Sequence, residues 1–206
     1  GAAIIGMDIF FSERDKSSPR YVMQSMDLNQ EIFSPAFSKL KLPDYDHLLA
    51  ETLSRTPTVL GYVFDLKEAR NTQQYPKISA AILEQGFSGR EFLPQAKGIT
   101  LNLESLQNNA ISSGFLNSKP DASGMIRRVP LLIKYEDVIY TSLAMEIYRL
   151  ISAIEVLKVH YVATGIESIE LLNSNSSLAI ATDNEGHLYL NFLGKQKSFM
   201  YLKAKD

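Results

Sequence analysis

Apolar residues fall along this chain in short runs, and the spacing inside each run predicts an element. Residues 2–11 form an unbroken apolar stretch rich in Ile and Phe, with Asp8 as its one charge, ending at Ser12-Glu13-Arg14-Asp15. Too short for a helix, the stretch reads as a fully buried strand. Residues 12–42 are mostly polar with scattered aromatics and predict an irregular excursion holding about one helical turn. Pro43-Asp44 then starts a helix with Tyr45, Leu48, Leu49, Thr52 and Leu53 on one side, which Thr56-Pro57 ends. Residues 58–64 are a second apolar strand. Strand, helix, strand in that order predicts a parallel pair joined by a crossover.

Further on, the pattern predicts a helix over about 78–85, closed by Gly86, and another over about 103–111, after which Gly114 resets the chain into the strand that carries the arginines. Pro120-Asp121-Ala122-Ser123-Gly124 is a turn with a mechanism. Pro120 fixes a dihedral, Asp121 bonds its own backbone, and Gly124 accepts a positive φ. Beyond it Met125, Arg127, Val129 and Leu131 alternate with Ile126, Arg128, Pro130 and Leu132. A strand there sends Arg127 and Arg128 to opposite faces and bars them from lining one pocket. A hairpin follows at Tyr135-Glu-Asp-Val, and Thr141 or Ser142 caps a long helix with Leu143, Ile147, Leu150, Ile151 and Ile154 at core spacing. Antiparallel strands over 159–163, 166–172, 178–182 and 188–192 close the chain and extend or flank the first sheet. The expectation is one α/β domain over residues 1–206: a mixed sheet with a parallel N-terminal strand-helix-strand unit, packed helices and C-terminal antiparallel strands.

Composition narrows the function classes. The chain has 206 residues, 45% of them hydrophobic, enough for a proper core. A net charge of -2, from 21 basic and 23 acidic residues, provides no field to gather nucleic acid or an anionic membrane surface. No apolar run approaches the roughly 18 residues that cross a bilayer, and no leader opens the chain. A sequence that starts directly in a strand reads as a domain cut from something longer. The absence of cysteine removes disulfides, thiolate metal sites and cysteine nucleophiles.

The candidates for chemistry are Asp8, Asp121, Asp183, Arg127, Arg128 and the histidines, and none sits in a nucleophile elbow, a Walker loop or a dinucleotide fingerprint. Asp44-Tyr-Asp-His47 carries metal-ligand types, but a helix N-terminus favours the same acids. Asp183 and His187 likewise read as a turn before a strand. No metal and no cofactor is expected. A carboxylate inside a buried strand needs a partner, so Asp8 calls for Arg127 or Arg128. That pairing is open to two readings, a structural ion pair or a ligand contact, since guanidinium forks suit carboxylate and phosphate. Asp8, Asp121, Arg127 and Arg128 are therefore the candidate ligand-binding residues, and Pro120, Gly124, Asp183, Gly186 and Asn191 the turn and scaffold residues.

Ala3-Ile-Ile-Gly-Met-Asp-Ile-Phe-Phe-Ser-Glu, Asp46-His-Leu-Leu-Ala-Glu-Thr-Leu leading to Val59-Leu-Gly, Gly114-Phe-Leu-Asn with Pro120-Asp-Ala-Ser-Gly-Met-Ile-Arg-Arg-Val-Pro-Leu, Ser142-Leu-Ala-Met-Glu, and Thr182-Asp-Asn-Glu-Gly-His-Leu-Tyr-Leu-Asn-Phe-Leu-Gly follow one another along the chain. In that order they resemble the type-two CHASE domain, a sensory module of bacterial receptors; residues 12–42 and 74–97 stand outside the resemblance. It implies an extracytoplasmic, periplasmic sensor in an inner-membrane protein, with membrane helices outside this sequence and a cytoplasmic cyclase, histidine kinase or other output domain. The expected partner is a small-molecule or environmental signal, read by ligand binding or by rearrangement of a homodimer. Two rivals stand beside this: a structural dimerisation module without a ligand, and a small α/β hydrolase-like enzyme using Asp8 and an arginine.

Overall fold

The computed structural model describes residues 2–25, 42–69, 74–77, 80–87, 89–194 and 198–200. Its centre is β2 (Thr58–Asp65), buried at every position from Thr58 to Tyr62. β1 (Ile5–Met7) and β6 (Ser112–Phe115) run parallel to it, and β5 (Gly98–Thr100) runs antiparallel along its second half. An apolar run with partners of this kind satisfies its backbone and hides both faces, as parallel strands do. The α/β class and the parallel strand-helix-strand start are as expected.

The crossover carries α1 (Pro19–Ser25) and α2 (Tyr45–Arg55); the rest of the excursion, residues 26–41, lies outside the described residues. Asp44 caps α2, its carboxylate accepting from the His47 N–H at 3.3 Å. The buried stripe of α2 is turned from the expected one. Ala50 and Leu53 face Leu60, Leu106 and Ala110, with Leu49 at the border, while Tyr45 and Leu48 are exposed. The small side chain of Ala50 admits α3 (Glu104–Asn109), which packs against α2 where a Leu would stand in the way.

Three expectations are corrected here. First, the opening run is not a fully buried strand: only Ile5–Met7 pair, at the sheet edge, and Ile5, Ile9 and Phe10 are exposed. Second, part of the helix expected over 78–85 is β3 (Ala81–Gly86), parallel to Val156–Tyr161; residues 78 and 79 lie outside the described residues. Its Ala, Leu, Glu and Gln favour helix locally, but a neighbouring strand edge supplies hydrogen bonds that override propensity. Gly86 still ends the element, at φ 100° against the Tyr161 carbonyl. Third, Gly114 lies inside β6, not ahead of the arginine strand.

Three of the C-terminal strands form a second sheet with β3, in the order β12 (Ser177–Ala181), β11 (Gly165–Leu172), β10 (Val156–Val162), β3. Leu157, Val159 and Tyr161 alternate inward from β10 and meet Ile169 and Leu171 of β11 in the largest core cluster. The shorter sheets are β4 (Gln95–Ala96) with β8 (Leu132–Tyr135) and β9 (Val138–Thr141), and β7 (Arg128–Pro130) with β13 (His187–Tyr189). β8 and β9 make the expected hairpin, with Glu136 at φ 52° in its two-residue turn.

Ser142 caps α4 (Leu143–Ile151), shorter than expected, with Ile151 60% exposed. Its inward face holds Met145 and, unforeseen, Glu146, whose side chain is completely buried. The carboxylate receives Arg149 through two hydrogen bonds of 2.9 and 2.8 Å, the Ser112 hydroxyl at 2.6 Å and the Thr141 hydroxyl at 3.3 Å. This cluster ties α4 to β6 and β9.

Candidate functional site

Two Asp-centred turns frame the site. The chain leaving β6 is first held by Asn117, whose side chain accepts from the Phe64 N–H and donates to the Phe64 carbonyl, both at 2.8 Å. It thereby mimics a strand partner at the end of β2 and fixes where the following loop begins. In that loop Asp121 Oδ1 accepts from the Ser123 N–H at 2.8 Å, the Ser123 hydroxyl at 2.6 Å and the Met125 N–H at 3.2 Å. Gly124 sits at φ 81° and donates to the Asp121 carbonyl at 2.9 Å. Asp121 Oδ2 pairs with Arg127, which also donates to the Ser123 hydroxyl at 2.8 Å. The hydrogen bonds of Ser123, working against some desolvation and joined by Arg127 and the Met125 N–H, hold the Asp121 carboxyl well below the usual range.

The second turn is Asp183 to Gly186. Asp183 Oδ1 accepts from the Glu185 N–H at 3.0 Å and the His187 N–H at 2.8 Å, and lies 3.1 Å from His187 Nδ1. Its Oδ2 accepts from Arg128 at 2.7 Å. Gly186 takes φ 79° and donates to the Asp183 carbonyl at 3.0 Å. Burial works against the Asp183 charge, but the His187 N–H and ring, Arg128 and the Glu185 N–H outweigh it, so its pKa is lowered. The same pair raises that of Arg128. Asn191 is exposed beyond β13, outside the hairpin turn.

β7 and β13 join the two turns, with Tyr189 opposite Arg128 and the Leu190 N–H donating to the Arg127 carbonyl at 2.8 Å. Between them opens a cleft of about 720 Å³, lined by Pro120, Asp121, Arg127, Arg128 and, across from them, His187 and Tyr189. Phe92, Pro94 and Pro130 supply apolar wall, and Lys119, Glu91 and Glu185 further charge.

Both arginines therefore line one cleft, which corrects the strand argument. Alternation governs only residues inside a ladder, and Arg127 precedes β7, where the chain is still leaving its turn. Asp8 is brought to neither arginine. It is exposed past the end of β1, Arg127 is paired with Asp121 and Arg128 with Asp183, and an exposed carboxylate pays no burial cost that a partner must offset. The contribution of Tyr189 has no local signal in the sequence, since it reaches the cleft through the pairing of β13 with β7, whereas Lys119 adjoins the Pro120-Asp121 turn.

Among the acids first considered for metal, Asp44 caps α2 and Asp46 Oδ2 accepts from the Asp15 N–H at 3.0 Å. No group of three or more His, Asp or Glu side chains among the described residues is placed to hold a metal ion. Also among the described residues, no helix is long and apolar enough to cross a membrane.

Because the folded pKa of Asp183 lies below its ordinary 3.8, its contribution to stability is present above about pH 4 and is lost as pH falls through the folded value. Asp183→Asn is expected to lower stability by about 1–2 kcal/mol at pH 7. The difference from the parent should shrink in urea titrations at pH 3; a difference that stays constant with pH would assign the loss to packing.

A family model for the CHASE2 domain matches residues 1–206, the whole chain. No curated protein matches the chain, and neither does any solved structure.

Proposed function

The chain belongs to the CHASE2 family of extracellular sensor domains, and from that premise we propose that it is the signal-input module of a bacterial transmembrane receptor, binding a small molecule in the cleft between its two Asp-centred turns. The family is sensory, not catalytic. The observation that carries the ligand reading is the convergence of Asp121, Arg127 and Arg128 on one open cleft. The hydrolase-like rival relied on Asp8 beside an arginine, and Arg127 and Arg128 pair with Asp121 and Asp183 instead.

The cleft also has a route outward. One wall is the Pro120–Gly124 turn, the other is β13, which runs directly into residues 190–194. A ligand touching both walls favours one spacing between them and shifts the population toward it, moving the strand that leaves the cleft. Periplasmic placement and an output of the cyclase or histidine-kinase type belong to this reading.

The test is a thermal-shift screen of the 206-residue chain against small carboxylates, phosphates, sugars and amines, repeated with Ala122→Trp, which puts a bulky ring on the cleft lining beside Asp121. A saturable rise of several degrees that disappears in the variant is the expected result. No saturable rise, together with concentration-dependent association in sedimentation, would replace it with a dimerisation module. That second reading has an observation of its own, the exposed Ile5, Ile9 and Phe10 around the β1 edge and the exposed Tyr148 and Ile151 of α4.

A further inference from the structure

Building on the ligand-sensor reading above, we propose that the cleft takes a small monocarboxylate with an apolar body, bound through donors of Arg127 and Arg128 that are not engaged among the described residues. The argument is an imbalance between donors and acceptors. Asp121 accepts four hydrogen bonds, from the Ser123 N–H and hydroxyl, the Met125 N–H and Arg127. Asp183 accepts from the Glu185 and His187 N–H groups and from Arg128, with His187 Nδ1 3.1 Å from its Oδ1. In each carboxylate Oδ1 is filled and Oδ2 is turned to its arginine, so a donor on a ligand would have to compete with a guanidinium for it.

The guanidinium groups are in the opposite condition. Each carries five N–H donors. Arg128 directs one nitrogen, Nη1, at Asp183, and its side chain is 50% exposed. Arg127 engages Asp121 and Ser123 through Nη1 and the Met125 sulfur through Nη2, and is 51% exposed. Arg128 keeps its Nε–H and Nη2 group, the side of a guanidinium that matches the two oxygens of a carboxylate, and Arg127 keeps its Nε–H and one Nη2 hydrogen. The two aspartates also hold the guanidinium groups in place, so less ordering remains to be done on binding.

Charge on the rim selects among anions. Lys119 adds a cation to the cleft, while Glu91 and Glu185 are both exposed on its lining, and Glu185 reaches His187 Nδ1 at 3.6 Å. Two carboxylates at the mouth repel a dianionic phosphate more than a monoanion. Phe92, Pro94, Pro130 and Tyr189 give the rest of the ligand an apolar seat.

Isothermal titration with benzoate, phenylacetate, acetate, benzamide, benzylamine and inorganic phosphate tests this. Benzoate or phenylacetate should bind saturably, with benzamide, benzylamine, acetate and phosphate at least about tenfold weaker, and Arg128→Gln and Arg127→Gln should each weaken the aromatic acid about tenfold or more. Arg128→Lys should restore only part of the loss, because it returns the charge without the fork. If one Gln variant fails to fold, the other carries the test. Benzamide or phosphate binding as tightly as benzoate, or benzoate binding unchanged in both Gln variants, overturns the proposal. Neutral or cationic compounds binding alone, and failing in Ala122→Trp, would sink the carboxylate class while leaving the ligand cleft standing; no compound binding at all would sink both.

Discussion

Arg149→Ala is expected to cost about 3–5 kcal/mol of folding stability, because it strands a carboxylate that has no access to water. The Glu146 side chain is completely buried and that of Arg149 is 11% exposed. Two hydrogen bonds join them, and the Ser112 and Thr141 hydroxyls also donate to the acid. Coulombic attraction and desolvation nearly cancel for such a pair as a whole, so the pair is weak evidence of net stability. Removing one member is different: the desolvation cost of the other stays and its compensation goes. Glu146→Gln should cost less, about 2 kcal/mol, since the amide oxygen still accepts from one hydroxyl, the amide NH2 donates to the other, and the Arg149 head keeps the Ile154 carbonyl at 3.1 Å. Against a total stability of about 5–15 kcal/mol for a domain, the larger loss brings the chain near unfolding. Urea denaturation of the two variants at pH 7 decides. A loss under about 1 kcal/mol for Arg149→Ala would mean that the carboxylate is hydrated and the cluster is not a fastening point for α4.

That cluster also shows where the sequence stops being readable. Glu146 and Arg149 stand three apart on a helix, the spacing of an ordinary surface pair. What buries them is Ser112 from β6 and Thr141 from β9, elements whose approach no local pattern encodes. The same boundary separates the other outcomes. β2, the Asp44-capped helix, the 135–138 hairpin and the C-terminal strands follow from periodicity and turn chemistry, which are local, and the structure has them. β3 was legible only as a helix, because its partner β10 lies some seventy residues away and propensity has no knowledge of it. In the site, the Asp121 and Asp183 turns were readable from Pro, Asp and Gly alone. Their convergence was not, since it depends on β13 pairing with β7 across the chain. The same long-range pairing places Asp183 against Arg128, the partnership that the sequence assigned to Asp8.

Gly114→Ala should cost about 3 kcal/mol, and the reason is backbone against backbone. A Cβ at Gly114 would stand 2.6 Å from both the Cα and the N of Leu143 and 2.8 Å from the carbonyl carbon of Ser142. No flexible side chain is there to swing aside. β6 cannot retreat, since Ser112 to Phe115 are registered on Val59 to Tyr62 and Phe115 bridges to Ser142. α4 cannot retreat either, because Ser142 caps it and Glu146 anchors it to Ser112. Gly124→Ala separates this effect from the general cost of losing a glycine. At φ 81° with nothing within 4 Å, it should cost about 1 kcal/mol, from left-handed backbone alone. Equilibrium unfolding of both variants therefore reads the contact directly. A Gly114→Ala loss about three times that of Gly124→Ala places the close approach of β6 and α4 among the fixed points of the fold. Equal losses would mean that the helix start yields, and that the Glu146 cluster alone holds α4 to the sheet.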